Sequence, residues 1–261
     1  MDGFSNFSIA GVAPSILRIF GVTPPEDMQP SIDSLTGLAE GCDRIFMYNP
    51  DAIGSWVFDR FEDKFKACLV MSQLKLPLRS MFPPVTPVCF ASMYSGLLPE
   101  QHGIRKYEKP LLTCATVFDI LPKAGKRVAI VSTAGDSISE IFLGRNMQYY
   151  IYRTIGECND KAAELIKKDE HDLIVLYNGN YDYWMHRVSP TGLTARKQLD
   201  RNAAEFLRLH SLIEECWKPR GHKTLLGFAP DHGCHRSVFP PGDHGLDQPS
   251  DMNIYHLYSV I

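Results

Sequence analysis

Asp51, Asp182, His186, Asp231, His232 and His244 are side chains of the types that hold divalent metals, and Thr86 offers a hydroxyl that a metal can activate. Asp182 and His186, within YDYWMHRVSP, are four apart and share a face on one helical turn. Asp231 and His232 are followed by Gly233, and His244 lies in PGDHGLDQ. Thr86 stands between proline-marked turns and precedes an apolar run with helical spacing, where helix N-terminal N–H groups favour an anion. Three Asp, three His and a Thr oxygen are a supply for two divalent ions, and imidazole with carboxylate suits zinc or manganese. Each residue alone has a plainer reading. A strand-end Asp such as Asp51 caps a turn, Asp182 and His186 make a surface pair, and Thr86 caps a helix. His244 beside Asp243 makes a loop hydrogen bond, and His102, His235 and His256 are structural or surface residues.

What sets these residues apart is where the elements put them. Arg44–Asn49, Arg127–Ser132, Gln148–Arg153, Asp172–Tyr177 and Lys223–Ala229 read as short, continuously apolar strands, and the tail MNIYHLYSVI as one more. Helical spacing falls between them: a short helix from Pro14 to Gly21, AIGSWVFDRFEDKF, Thr116–Ala124, Asn159–Lys168, and the long Leu193–Trp217. Buried strands alternating with helices imply an α/β fold, a largely parallel sheet with helices on both faces. Ligands of such sheets bind beyond the C-terminal strand ends. Asp51, Asp182 and Asp231-His232 each follow a predicted strand.

The chain has 261 residues, enough for a sizeable core, and no repeat or linker divides it, so one domain spanning 1–261 is expected. A hydrophobic fraction of 44% and a charge of -3 fit a soluble protein and give no basic footprint for nucleic acid. No run approaches the length of a membrane span, and no leader peptide is evident. Seven cysteines form no CxxC pair and leave one over, so reduced thiols in a cytoplasm are the simpler reading.

The order Asp, Thr, Asp-x-x-x-His, Asp-His-Gly, His-Gly resembles the alkaline phosphatase superfamily, and most of all its type I phosphodiesterase/nucleotide pyrophosphatase branch. TPVCFASMYSGLLPEQHGI is similar to that branch's nucleophile segment, DYWMH to its D-x-x-G-H motif, PDHG to its S-D-H-G motif, and GDHGLDQPSDMN to its last metal-histidine loop. The likeness runs over roughly residues 42–261. It implies that Asp182, His186 and His244 hold one metal, and that Asp51, Asp231, His232 and the Thr86 oxygen hold the other. It implies zinc first and manganese second, a small-molecule phosphoester substrate, and a phosphothreonine intermediate. Phosphonate and phosphomonoester hydrolysis remain alternatives, as does a non-catalytic metal-binding member. Arg105 and Lys106 could add a substrate cation, although a solvated pair is the plainer reading.

Some residues depart from the family pattern. Met185 stands where the metal motif has Gly, and Pro50 precedes Asp51. The interval from Asp182 to His244 leaves no room for large insertions, so a compact fold without a large cap domain is expected. Sulfatase chemistry is disfavoured because Val88 and Phe90 stand where the modified nucleophile needs Pro and Arg. Phosphoglycerate-mutase-like members use Ser and carry a large inserted domain. IAGVAPSILRIFGVTPPEDM resembles a segment that several members carry after the last metal histidine. Here it lies within residues 1–38, which raises the expectation of a circular permutation that packs this helix beside the C-terminal strand.

Overall fold

The computed structural model describes residues 3–261. Eight strands form one sheet: β1 (Phe7–Ser8), β2 (Arg44–Pro50), β3 (Leu74–Arg79), β4 (Val128–Thr133), β5 (Gln148–Tyr152), β6 (Leu173–Asn178), β7 (Thr224–Phe228) and β10 (Asn253–Val260). Their order across the sheet is β1-β3-β10-β7-β2-β6-β4-β5. β10 is antiparallel to both neighbours while every other pairing is parallel, so β10 alone runs against the rest. A small hairpin, β8 (His235–Arg236) with β9 (Gly242–Asp243), stands apart from it.

The uninterrupted apolar strands have a direct cause: both faces of the sheet are covered. Successive side chains point to opposite faces. Ile45 and Met47 of β2, with Leu173, Val175 and Tyr177 of β6, join a core with the N-terminal helix Val12–Ile19 and the helix Thr86–Ser95. Phe46, Tyr48, Ile174 and Leu176 face the other way, against helices Ser55–Arg60, Glu62–Met71, Ile155–Lys168 and Leu193–Cys216. The expected strands and helices are present within a few residues of their expected bounds.

β3 is the longest strand that the periodicity missed, because Pro77 interrupts its apolar pattern. Pro77 pairs with Tyr255 of β10, but β1 covers only Leu78 and Arg79 on the other side. The missing N–H of Pro77 therefore costs no ladder bond.

The N-terminal segment is tied in at several points. Ser5 N donates to Asn253 Oδ1 at 3.0 Å, and Asn253 Nδ2 donates to the Gly3 carbonyl at 2.9 Å, beside the start of β10. β1 pairs with β3 rather than with β10. Gln29 N donates to the Gly96 carbonyl at 2.7 Å. Gly96, left-handed at φ 71°, ends the helix Thr86–Ser95, and an added Cβ would meet Met28 at 3.0 Å. No helix among the described residues is long and apolar enough to cross a membrane.

Candidate metal centre

Five chain segments deliver the site, His244 coming directly after β9. Asp51 leaves the end of β2, its N–H bonded to the Asn178 carbonyl at 3.0 Å as a continuation of the β2–β6 ladder. Asp231 and His232 leave β7. Asp182 and His186 lie one turn apart on the helix Asn180–Val188, which follows β6. Thr86 opens the helix Thr86–Ser95, whose ten residues are all buried. Close backbone approach at Gly54 and Gly233 lets the turn after β2 meet the loop after β7, since a Cβ on Gly54 would lie 2.9 Å from Gly233 Cα.

The structure brings all seven expected residues together. Ligand atoms of Asp51, Asp231 and His232 lie within 4.8 Å of one another, as do those of Asp182, His186 and His244. Ring centroids of His232 and His244 are 4.3 Å apart, so the two groups are adjacent. Thr86 Oγ1 is 3.3 Å from Asp51 Oδ2 and 3.3 Å from His232 Nε2. His232 Nε2 lies 3.3 Å from Asp51 Oδ1 and 3.4 Å from Asp231 Oδ2. Asp182 Oδ1 lies 3.2 Å from His186 Nε2 and 3.4 Å from His244 Nε2.

These separations test the site for metal. Tetrahedral donors held about 2.0–2.1 Å from zinc lie roughly 3.3–3.4 Å from one another, and the distances above match that edge. Asp51 Oδ1, Asp182 Oδ1 and Asp231 Oδ2 are also buried without a hydrogen-bond partner. A buried anionic oxygen left unpaired is costly, and a cation removes the cost. The orientation of the histidines also suits a metal. Nδ1 of His186, His232 and His244 meets the carbonyls of Gly242, Gly233 and Pro84 at 2.9, 2.9 and 3.0 Å. With Nδ1–H donating to a carbonyl, each ring in its neutral form presents the Nε2 lone pair to the site. His102 is wired the opposite way: Ile104 N donates to its Nδ1, and Ser92 meets its Nε2, so it holds the HGI turn.

The electrostatics without metal fit this reading. Burial, and then the charge of Asp182, pushes the Asp51 carboxyl up to about 7. Burial and Asp51 raise Asp231 well above the carboxylate range. Burial and the charge of His244 lower His232 to about 3. For His244 burial pulls down, but the bond and charge of Asp182 prevail and lift it to about 9. Cys89 packs behind the site against Ser80, its thiol pushed up by burial.

Two residues that sequence reasoning did not single out complete the wall. The buried Tyr177 hydroxyl donates to Asp51 Oδ2. Lys109 lines the same crevice with Tyr107, Asp136 and Arg187. Arg105 instead donates to the Glu100 carbonyl and Lys106 pairs with Glu108, so neither lines the crevice. Tyr177 closes an apolar strand five residues before Asp182, and that adjacency was the only available signal; Lys109 had none. Tyr177→Phe is expected to keep the fold and weaken metal affinity about tenfold, measured by competition with a chromophoric chelator.

His256, buried on β10, braces the floor of the site. Its Nε2 meets the Pro230 carbonyl at 2.8 Å, and its Nδ1 meets the Tyr258 hydroxyl at 2.9 Å. Burial lowers its pKa to about 4. Between that value and the unfolded value near 6.5 the unfolded chain binds a proton that the folded chain does not. His256 therefore contributes a loss of stability as pH drops through this window, on the order of 3 kcal/mol. Urea unfolding of wild type and His256→Gln at pH 7 and pH 4.5 checks this, since the difference between the two proteins isolates His256 from the carboxyls that titrate in the same range.

No family model matches the chain, and no curated protein matches it in sequence. Solved structures do match in fold. Murine ectonucleotide pyrophosphatase/phosphodiesterase 5, as an inactive threonine-to-alanine variant in complex with AMP, aligns with TM-score 0.61 at 12% identity over 75% of this chain and 58% of that one. The human protein of the same name aligns with TM-score 0.57 at 14% identity, over 75% and 58%. Phosphonoacetate hydrolase from Sinorhizobium meliloti, in complex with phosphonoformate, aligns with TM-score 0.57 at 16% identity, over 75% and 57%. The present chain thus matches less than two thirds of the length of each. At these identities the likeness is one of architecture: the chain has the alkaline-phosphatase-like fold of these proteins.

Proposed function

We propose that the chain is a two-metal phosphohydrolase of the alkaline phosphatase superfamily, cleaving a phosphodiester or related phosphoester through Thr86. The observation that carries this reading is the placement of Thr86 Oγ1 3.3 Å from two candidate ligands, beside a second ligand group. Asp51, Asp231, His232 and Thr86 would hold one divalent ion, and Asp182, His186 and His244 the other, with zinc the first choice and manganese the second. Bound ions would lower the pKa of the Thr86 hydroxyl and offset charge on the phosphoryl oxygens.

The chain's own residues do the rest. The Thr86 hydroxyl points its proton toward Asp51 Oδ2, an oxygen that Tyr177 also holds, which turns the Oγ1 lone pairs to the crevice. Attack of Oγ1 on phosphorus forms the P–Oγ bond and breaks the bond to the ester oxygen, which leaves with a proton. Water then attacks phosphorus, the P–Oγ bond breaks, and Thr86 regains its proton. The helix beginning at Thr86 favours negative charge at its N-terminus, and Lys109 places a cation in the same crevice.

AMP and phosphonoformate in the structural neighbours support a small phosphorus-bearing substrate. Phosphonate and phosphomonoester hydrolysis by the same residues are alternatives, and a non-catalytic metal-binding role is the reading from another class. Metal-loaded protein tested on nitrophenyl diester, monoester and phosphonate substrates decides among them, and no turnover of any would overturn the enzyme reading. We further propose a single domain in which residues 1–38 occupy the place of a segment that relatives carry after the last metal histidine. The bonds from Ser5 and Gly3 to Asn253 hold the chain just before Ile9 at the start of β10, while the helix Val12–Ile19 packs on the helices Asp33–Leu38, Thr86–Ser95 and Val117–Lys123.

A further inference from the structure

The crevice holding Thr86, about 200 Å³, continues into an outer cavity of about 460 Å³, and the two share Asp136, Gly179 and Tyr183 as walls. Asp136 is thus the one carboxylate at the junction that belongs to neither candidate ligand group. It follows β4 and is fixed in place. Ser132 Oγ donates to its Oδ2 at 3.3 Å, and Thr133 Oγ1 donates to the same oxygen. Both side-chain bonds fall on Oδ2, so Oδ1 receives no side-chain donor among the described residues.

Two cations line the inner crevice with it. Lys109 Nζ donates to the Gly135 carbonyl. The Arg187 guanidinium lies over the Tyr183 ring at 3.4 Å and donates to the Tyr183 carbonyl. An ester group that extends from the inner crevice into the outer cavity passes the Asp136 carboxylate.

Resting on the phosphoesterase reading above, we infer that Asp136 is a specificity-determining residue. It selects substrates whose ester group carries a hydroxyl or ammonium donor next to the scissile phosphate. The donor pairs with the Asp136 oxygen that no side chain holds.

The test is a set of p-nitrophenyl phosphodiesters sharing one leaving group, with propyl, glyceryl and aminoethyl as the second ester. For wild type, kcat/KM is expected to be about tenfold or more above propyl for a donor-bearing ester. Asp136→Asn, which removes the charge, is expected to bring the aminoethyl ratio toward 1, and Asp136→Ala to bring both ratios there. Ratios within one variant cancel differences in the folded fraction. A glyceryl preference without an aminoethyl preference assigns hydroxyl donors, and the reverse assigns ammonium. Ratios near 1 in wild type, or wild-type ratios that survive in Asp136→Ala, overturn the inference while leaving the phosphoesterase intact. Absence of turnover on every diester overturns the underlying function instead, and this selection with it.

Discussion

Thr86→Ala is expected to lower turnover of a nitrophenyl phosphodiester by at least about a thousandfold, with the metal content of the protein unchanged. The size of the effect follows from what is removed, the only protein atom proposed to bond phosphorus. Metal retention follows from what remains, because Asp51, Asp231 and His232 still converge within 4.8 Å. Thr86→Ser separates chemistry from packing. It restores the hydroxyl and removes only a methyl from a residue 4% exposed, so it is expected to recover much of the rate. Rapid-quench mass spectrometry of the wild type should find the phosphoryl group on the peptide containing Thr86. If Thr86→Ala retains activity within tenfold, the nucleophile assignment is wrong.

Removal of metal is also expected to lower turnover strongly. Dialysis against a strong chelator should reduce turnover below about one-hundredth, and zinc or manganese should restore it. The pH dependence of loading has a definite sign. Ligands must lose their protons to bind, and Asp51 near 7 and His244 near 9 hold theirs at neutral pH in the metal-free chain. Apparent affinity should therefore rise with pH up to about 9, by about tenfold per unit for each proton displaced. Calorimetric titration in buffers of different ionisation enthalpy counts those protons. Loading that is independent of pH from 6 to 8 would contradict the geometry.

How much of this was legible in the sequence depended on where each signal resides. Strands β2, β6 and β7 were readable because both faces are buried and the runs are continuously apolar. The polar residues at their ends then stood out. Asp231-His232 at the end of β7 is the clearest case. β3 was invisible because Pro77 breaks the pattern, and only the short reach of β1 makes that proline tolerable. Tyr177 was hidden for the opposite reason. Its ring belongs to the core beneath the site, so it read as one more apolar strand residue, and only the fold brings its hydroxyl to Asp51. Lys109 and Asp136 sit on connections whose course no local pattern specifies. For Arg105 and Lys106, proximity in sequence to the HGI turn was a poor guide, because the chain turns outward before Tyr107 and Lys109 line the crevice.

All ten residues of the helix Thr86–Ser95 are buried, and it is clamped by the N-terminal segment through Met28 and Gln29. The attacking hydroxyl therefore rides on a cooperative unit that opens only when the whole core does. Amides of this helix should be among the slowest in the chain to exchange with solvent. Thermal inactivation should then coincide with loss of tertiary structure, with no earlier phase in which the fold survives a melted catalytic segment.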